Sequence, residues 1–498
     1  MTTNAQQAPP AGRGSLTTSH IVFMIVAAAA PLSAMVGTVP LAFAIGTAEG
    51  VPAAFLFAGA TLLCFSVGYA VSARRTGGSG GFYASIADGL GRPVAVGSGW
   101  TAVVAYNSAT IGLVGASGYF TSLVLAGHGI HLSWEWCAAI VLVLIAVLGY
   151  RDIAISARVL AVLMIAEIGV LAALDVAVLA RHGVRALPAA SFSWRAATGP
   201  GLGVSLMFAF VSYIGFESAA LYGKEARDPR RSVPRATYIA ALLISGFYAL
   251  TSWAAVGAIG PGQVRETAGN SLGDLFFDLG RDYLGTAGST ALEIMLCTSL
   301  FAATLALHSA ANRYAQVMAD DGLLPRPLGR LHPRFGSPHL AGLVQVAVCA
   351  VVAAVFAIGG LDPYANMTTS MLGLGTLGIV ALQALSALSA MALRRKDTRA
   401  GLWRGVVAPL LGFAGLAATV WLVVGNFDVL TGATGGVVAH LPWVIVLVTA
   451  AGVLWALRLR AAAPERYRAL ATAHLPPEAA QADTAAEPGT SAPVSEPA

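Results

Sequence analysis

Long apolar stretches alternate with short polar connections along most of the chain. Twelve of these stretches reach about 20 residues, the length that an α-helix needs to cross the hydrocarbon core of a bilayer. The pattern therefore predicts an all-α membrane protein with twelve transmembrane helices. The predicted spans are residues 20–46, 51–73, 94–125, 134–150, 157–180, 200–223, 236–260, 287–317, 339–359, 366–393, 405–425 and 440–460.

The first span contains residues that disfavour a continuous helix. Its segment APLSAMVGTVP, residues 30–40, holds two prolines, a glycine and two hydroxyl side chains. Pro40 lacks an N–H and crowds the carbonyl four residues earlier, so an unbroken helix is not expected here. Backbone groups freed at membrane depth must be buried in protein or line a polar cavity. The segment is either a proline kink that neighbouring helices satisfy or a binding site.

A second interruption is predicted five spans later. The segment SYIGFES, residues 212–218, brings Gly215 and Glu217 into the membrane interior. A helical glycine costs up to about 1 kcal/mol relative to alanine, and an intramembrane carboxylate is costly unless it is paired or hydrated. Transporters built from inverted repeats have interrupted helices at matching positions of their two halves, with the substrate between them. The spacing thus predicts two five-helix inverted repeats around a substrate site.

Composition and charge support a multi-pass membrane protein. Of the 498 residues, 57% are hydrophobic and 11% are charged, whereas about 25% of a typical soluble domain is charged. If the N-terminus is cytoplasmic, all but five of the 29 Lys and Arg residues fall on the cytoplasmic side, as the positive-inside rule expects. The net charge of +5 therefore reflects topology, and no nucleic-acid partner is predicted. The five outer residues are Arg181, Arg185, Arg195, Arg265 and Arg281.

The same pattern divides the chain into four parts. Residues 1–19 are polar and are expected to form a disordered cytoplasmic N-terminus, followed by the inverted-repeat transport core of helices 1–10 in residues 20–395. Residues 396–460 add helices 11 and 12. Residues 461–498 are rich in Pro, Ala and Glu without an apolar face, which is typical of a disordered cytoplasmic tail. The expected location is the bacterial cytoplasmic membrane, with both termini inside.

Three stretches on the predicted cytoplasmic side resemble the amino acid–polyamine–organocation (APC) permease superfamily. GFESAALYGKEARDPRRSVPRA, residues 215–236, is similar to the signature that this family carries after its sixth span. ANRYAQVMADDGLLPRPLGRLHPRFGSPHLA, residues 311–341, is similar to the stretch after the eighth span, and RRTGGSGGFYASIADGLGRPVAVGSGW, residues 74–100, to the Gly-rich loop after the second. The resemblance covers the chain from about residue 20 to residue 395. It implies a five-plus-five inverted-repeat fold in which helices 1 and 6 are interrupted.

The resemblance also implies how a zwitterionic substrate is held. Backbone N–H groups at the first interruption, and the positive end of the half-helix after it, suit a carboxylate. Carbonyl groups freed at the second interruption suit an ammonium group. The implied N–H groups belong to Ala34, Met35, Val36, Gly37 and Thr38, and the implied carbonyls to Phe210, Val211 and Ser212.

Three further side chains are candidates for the substrate site. Asn107 lies among apolar residues of the third span, at a position that faces the substrate in the family. A buried Asn needs either a ligand or a partner on another helix. Tyr213 and Phe216 lie at the second interruption, where they are candidates to stack on the ligand or close over it. Alternatively, each is a packing aromatic.

Uphill transport needs a coupling ion, which is H+ or Na+ in this family. Some members use a lysine in the fifth span for H+, but the two lysines of this chain, Lys224 and Lys396, lie on loops. Glu167 occupies the fifth span instead, and Glu217 follows the second interruption. Desolvation disfavours the charged form of a carboxylate, so both are candidate proton carriers. The alternative for each is a hydrogen bond to a neighbouring helix without a change of state.

Hydroxyl side chains inside the spans are candidate ion ligands, whereas the thiol side chains are not. Thr298 and Ser299 of the eighth span offer oxygens for Na+, although hydroxyls in helices commonly bond to their own backbone. Single cysteines without metal or disulfide spacing are expected to be small packing residues. The cysteines are Cys64, Cys137, Cys297 and Cys349.

The remaining patterns disfavour other classes of function. The nine histidines form no metal-binding cluster, so neither an enzyme nor a metal or other cofactor is expected. A channel would need a repeated pore ring. The sequence therefore predicts a secondary active transporter for an amino acid, with H+ or Na+ and the lipid bilayer as its other partners. A permease or exchanger for a polyamine or another small amine is the alternative, and it would favour acidic residues beyond Glu167 and Glu217.

Overall fold

In a computed structural model, the described part of the chain consists of helices and connecting turns, without a strand. The described residues are 17–76, 80–151, 157–216, 227, 229–393, 401–432 and 438–472. The helices up to residue 211 are α1 Thr18–Ala28, α2 Pro31–Ile45, α3 Val51–Thr76, α4 Gly81–Leu90, α5 Arg92–Gly127, α6 Trp134–Tyr150, α7 Ala157–His182, α8 Trp194–Ala197 and α9 Leu202–Val211. Those that follow are α10 Pro229–Ile259, α11 Val264–Ser271, α12 Leu275–Asp320, α13 His339–Ile358, α14 Thr369–Leu393, α15 Ala408–Gly425, α16 Phe427–Thr431, α17 Pro442–Ala462 and α18 Pro464–Ala469.

Ten helical stretches of the described residues are long and apolar enough to cross a bilayer. Two shorter apolar helices, α6 and α9, occupy the predicted fourth span and the first half of the predicted sixth. One of the ten stretches, Val264–Asp320, joins α11 and α12 and contains a kink at Gly285, where φ is 74°. The all-helical, multi-pass architecture agrees with the sequence, whereas the count of twelve spans and the inverted repeat stay predictions.

The first span is interrupted at Ala29 and Ala30. α1 ends at Ala28, Ala30 has left-handed backbone angles (φ 44°, ψ 70°), and α2 begins at Pro31. A proline disfavours helical angles in the residue before it and is well tolerated as the first residue of a helix. Pro31 therefore sets the interruption, and Ala30 adopts a conformation that costs an L-residue about 1–2 kcal/mol.

The interruption does not lie within residues 34–38, where the sequence pattern had suggested it. That expectation is wrong, because α2 is continuous through these residues and through Pro40. Pro40 removes the N–H that the carbonyl of Val36 would otherwise accept. The hydroxyl of Tyr364 donates to the neighbouring carbonyl of Gly37 at 3.2 Å. Pro40 is thus accommodated inside a helix whose loosened backbone is bonded from another part of the fold.

The predicted sixth span is interrupted where its sequence suggested. α9 ends at Val211, and residues 212–215 form turns rather than α-helix. Gly215 has a φ of 100°, a conformation that glycine adopts without the steric penalty of a Cβ atom. Glu217 lies outside the described residues, as do residues 218–226.

The two interruptions touch each other. A Cβ atom on Gly215 would lie 2.9 Å from the carbonyl oxygen of Ala28. Nearby, the hydroxyls of Thr38 and Ser212 are 3.2 Å apart and buried. The first and second broken helices are therefore in direct contact inside the protein, as a shared binding site requires.

Small residues bring α5 and α14 together at very short range. A Cβ atom on Gly375 would lie 2.7 Å from the amide nitrogen of Ala109 and 2.8 Å from the carbonyl oxygen of Ala105. Close backbone contact of this kind drives helix association in membranes, where lipid is as apolar as the side chains. Most residues of α14 are buried, so this helix lies at the centre of the bundle.

The segment after α17 folds back onto the end of α12 and the start of α5. Leu470 and Ala471 are buried, and the N–H of Ala471 donates to the carboxylate of Asp321 at 2.8 Å. Arg92 donates to the carbonyl of Leu470 at 3.1 Å. The ordered chain thus extends past residue 461, where the sequence predicted a disordered tail to begin.

We expect Gly215→Ala to destabilise the protein. The added methyl group would meet the Ala28 carbonyl in a backbone conformation that disfavours L-residues, at a cost of about 1–3 kcal/mol. Heating the detergent-solubilised protein before size-exclusion chromatography measures the loss as a lower midpoint temperature. Gly246→Ala is the matched control, because a Cβ atom there meets nothing within 4 Å and alanine is preferred in a helix. Equal midpoints for the two variants would contradict the close contact.

Candidate substrate and coupling-ion site

Glu167 of α7 lies at the first interruption. Its side chain is buried, and its carboxylate accepts hydrogen bonds from the N–H of Leu32 and from the hydroxyl of Ser299, the latter at 2.9 Å. Leu32 is the second residue of α2, so its N–H has no acceptor within its own helix. The partial positive charge of a helix N-terminus favours an anion at this position. Glu167 therefore caps the half-helix that follows the first interruption.

A relay of hydroxyl groups extends this contact. Ser33 of α2 donates to Ser299 of α12 at 2.8 Å, and Ser299 donates to Glu167. All three side chains are buried. In the described part of the chain, no basic side chain forms an ion pair with Glu167. Its bonding partners are thus an amide and a hydroxyl, which bond a carboxylate without neutralising it.

Tyr248 of α10 stabilises the opposite side of the same interruption. Its hydroxyl donates to the carbonyl of Ala29 at 3.0 Å, and its side chain is fully buried. Ala29 lies between α1 and α2, where the regular helical bonding of the backbone is lost. The interruption is therefore bonded on both sides, by a donor on α10 and by an acceptor on α7.

At the second interruption, the carbonyl groups are less free than the sequence suggested. Phe210, Val211 and Ser212 are buried. The carbonyls of Phe210 and Val211 accept from the N–H groups of Tyr213 and Ile214 at 3.1 and 3.0 Å. These carbonyls are therefore at least partly engaged within the turn.

Tyr213 belongs to the second interruption, but its hydroxyl bonds to α3 and α10. Its hydroxyl lies 3.1 Å from the carbonyl oxygen of Phe55 on α3 and 2.9 Å from the hydroxyl of Ser245 on α10, and its single proton is shared between these two acceptors. This geometry favours the alternative of a packing aromatic over a contact with the substrate. Phe216 is also almost fully buried, next to Gly215.

Asn107 and Thr298 bond to their own helices. The Asn107 amide donates to the carbonyl of Val103 at 2.7 Å, and the Thr298 hydroxyl donates to the carbonyl of Met295 at 2.9 Å. Thr298 is exposed, whereas Ser299 is buried against Glu167, because successive residues point about 100° apart around a helix. The structure thus brings Ser299, but not Thr298, to the interruption.

Sequence reasoning missed Leu32, Ser33 and Tyr248 as parts of this site. The dipeptide Ala30-Pro31 carried the signal for Leu32 and Ser33, because a proline that starts a helix follows a residue in a non-helical conformation. Tyr248 carried no such signal, since its partner lies on a distant part of the chain. Within the described ranges, no group of three or more His, Cys, Asp or Glu side chains is arranged to hold a metal ion.

These features define a class of protein. Many apolar helices, two interrupted helices in contact and a buried carboxylate at one interruption are typical of multi-pass membrane transporters. A helix N-terminus that is open to a ligand binds anions, which suits the carboxylate of an amino acid.

The chain belongs to the amino acid permease family: a family profile described as "Amino acid permease" matches residues 16–452. This match confirms the superfamily that the cytoplasmic motifs resemble. It also confirms a multi-pass membrane protein of the transporter type.

Individual relatives match parts of the chain. An uncharacterized transporter of Mycobacterium bovis is 33% identical over 175 residues, which cover 33% of this chain and 39% of that protein. The branched-chain amino acid permease BcaP of Bacillus subtilis is 24% identical over 356 residues, 66% of this chain and 72% of that protein. BcaP of Lactococcus lactis is 28% identical over 226 residues, 44% of each chain.

We expect Tyr213→Phe to lower stability and to leave the KM for uptake unchanged. Removal of the hydroxyl deletes its hydrogen bonding to Phe55 and Ser245, worth about 0.5–1.5 kcal/mol for the one shared proton, and neither of these partners belongs to an interruption. The thermal midpoint of the purified protein and the concentration dependence of uptake measure the two effects. A raised KM with an unchanged midpoint would instead identify the hydroxyl as a substrate contact.

Proposed function

We propose that this protein imports an apolar amino acid together with H+, by alternating access around the two interruptions. The observation that carries the proposal is Glu167 at the N-terminus of α2. The family resemblance implies that the substrate carboxylate binds at the first interruption, which the sequence pattern had suggested at residues 34–38 and which lies instead directly before α2. The proposal includes the bacterial cytoplasmic membrane as the location and cytoplasmic termini, which the distribution of Lys and Arg supports.

Glu167 and the substrate carboxylate compete for the N-terminus of α2, and this competition couples substrate binding to proton binding. The N-terminus of a helix offers about half of a positive charge, which is too little for two adjacent anions. Two like charges 4 Å apart repel by about 4 kcal/mol at an effective dielectric constant of about 20. Protonation of Glu167 removes this repulsion and releases the N–H of Leu32 to the substrate. Proton and substrate therefore bind together and leave together.

The hydroxyl relay serves both protonation states of Glu167. A hydroxyl group both donates and accepts hydrogen bonds. Ser299 therefore donates to Glu167 when it is a carboxylate and accepts from it when it is a carboxylic acid, with Ser33 behind Ser299 in the relay. Proton binding therefore reverses the direction of the Ser299–Glu167 hydrogen bond instead of breaking it.

An apolar amino acid suits the residues around the interruptions. Met35, Val36, Phe210 and Phe216 are buried there, and the polar groups beside them are backbone amides and hydroxyls. Two relatives are named branched-chain amino acid permeases, which supports Leu, Ile or Val as the substrate. A polyamine would need carboxylates for its additional ammonium groups.

Uptake by proteoliposomes tests the substrate and the ion separately. Radiolabelled Leu, Ile and Val, with Lys, putrescine and spermidine as competing classes, are supplied under an inward H+ gradient or an inward Na+ gradient. We expect accumulation of the branched-chain amino acids under the H+ gradient, and none above protein-free liposomes under Na+ alone. Accumulation of a polyamine instead would overturn the substrate class, and accumulation driven by Na+ alone would overturn the ion.

Glu167→Gln should abolish accumulation under the H+ gradient, while counterflow of substrate at equal pH continues. Glutamine keeps the size of the side chain and an acceptor oxygen, but it carries no titratable proton. Both rates are measured on one preparation. Glu293→Gln is the matched control, because Glu293 lies 3.9 Å from His128, outside the proposed site. Unchanged accumulation in Glu167→Gln would remove this residue from the coupling mechanism.

A further inference from the structure

We propose that Asp175 is a second proton-carrying residue, which takes up protons near the outer end of α7 and delivers them towards Glu167. The inference rests on the proton-coupled transport proposed above. It starts from a carboxylate that the sequence reasoning overlooked. Asp175 is 3% exposed and lies within the apolar stretch Ala161–Ala186, which is long enough to cross a bilayer.

The surroundings of Asp175 do not balance a full charge. The hydroxyl of Thr251 on α10 donates to its Oδ2 at 2.7 Å. Among the residues that the structure describes, no Lys, Arg or His forms an ion pair with Asp175. A charged carboxylate in the membrane interior costs several kcal/mol unless it is paired or hydrated. A group in this position either carries a proton or reaches water, and a proton-transfer residue does both in turn.

The contact between α7 and α10 leads from Asp175 to a cavity. This cavity has a volume of about 550 Å³, and its lining includes His182 of α7 and Ala258 of α10. His182 follows Asp175 by seven residues and Ala258 follows Thr251 by seven, so each lies two turns further along the same face of its helix, about 10 Å away. The cavity is therefore in line with the Asp175–Thr251 pair, on the side predicted to be outside.

Ionisable side chains surround this cavity. Nε2 of His182 lies 2.6 Å from the hydroxyl of Tyr283, and the guanidinium of Arg181 lies 5.2 Å from the centre of the Tyr283 ring. Asp278 and Asp282 of α12 also line the cavity. Arg181 and Asp282 are exposed, so water and protons reach the cavity.

Other elements that pack against α7 bring few ionisable groups towards Asp175. α1 and α2 carry one, His20, at the far end of α1. Arg185 in the turn after α7 is exposed. Glu293 of α12 faces His128 after α5. On α10, Tyr248 lies one turn before Thr251, and its hydroxyl bonds to the carbonyl of Ala29.

Asp175 and Glu167 are insulated from each other in this conformation. They lie eight residues apart on α7, about 12 Å along the helix, which is too far for direct exchange of a proton. Leu171, which is fully buried, lies between them, and Tyr248 is held by its bond to Ala29. Transfer therefore needs water between α7 and α10, and it is confined to conformations in which these helices part. The packing prevents a proton leak at other times.

The proposed step moves one proton and no electrons. A hydronium ion in the cavity passes a proton, through intervening water, to the carboxylate of Asp175; the hydronium becomes water and Asp175 becomes a neutral acid. Asp175 then gives this proton, through water, to the carboxylate of Glu167 and returns to its charged form. Glu167 becomes the neutral acid that admits the substrate.

Right-side-out membrane vesicles, with the pH of each side set separately, test this proposal through the initial rate of leucine uptake. In the wild type, this rate should rise as the outside pH falls. Asp175→Asn keeps an oxygen for Thr251 but carries no titratable proton. We expect its uptake to be roughly tenfold slower or more and to lose its dependence on outside pH, while counterflow at equal pH is unchanged.

Two further variants sharpen the comparison. Thr251→Val should give a smaller loss in the same direction, because it removes the hydrogen bond but leaves the carboxylate. Ser252→Ala is the matched control, since the Ser252 hydroxyl bonds to the carbonyl of Tyr248 in its own helix. It should retain the wild-type dependence on outside pH.

The remaining outcomes would overturn the proposal, and they can be told apart. A wild-type dependence on outside pH in Asp175→Asn would exclude Asp175 from the proton route. Loss of counterflow in this variant would assign Asp175 a structural role instead. Failure of the proposed function looks different: the wild type itself would show no uptake driven by low outside pH, and the role of Asp175 would fall with it.

Discussion

Backbone groups inside a membrane must be bonded within the protein, and the rest of this structure depends on how that is done at the first interruption. The carbonyl of Ala29 accepts from Tyr248, and the N–H of Leu32 donates to Glu167. These partners lie on α10 and α7, so one break in a helix fixes the positions of two others. Because one of the partners is a carboxylate, the proposed proton coupling acts through the same bonds that stabilise the break.

Much of the architecture could be predicted from the sequence, since the length of an apolar run is a local property. The interruption around Gly215 was predictable for the same reason, because a glycine and a carboxylate in an apolar helix are conspicuous. The first interruption was assigned to the wrong proline. Pro40 lies inside a helix and Pro31 begins one, and the rule for the residue before a proline distinguishes them only when the start of the helix is known.

The composition of the site was less predictable than the fold, because it depends on helix rotation and on partners far apart in sequence. Thr298 and Ser299 are adjacent residues with hydroxyl side chains, and the sequence alone does not distinguish them. Only Ser299 reaches Glu167. Asp175 was overlooked because its partner, Thr251, lies 76 residues away. In both carboxylate contacts a hydroxyl from another helix is the donor, and such pairs leave no periodic pattern in a single sequence.

The folded-back segment after α17 has a mechanical consequence. The carboxylate of Asp321, at the end of α12, accepts from the backbone of Ala471 and from the hydroxyl of Tyr83 on α4. Three stretches of chain thus meet at one oxygen. The end of α12 cannot slide relative to α4 without stretching the bond to Tyr83, or relative to the segment after α17 without stretching the bond to Ala471. Any rocking of the bundle must therefore either move these three stretches together or break these bonds.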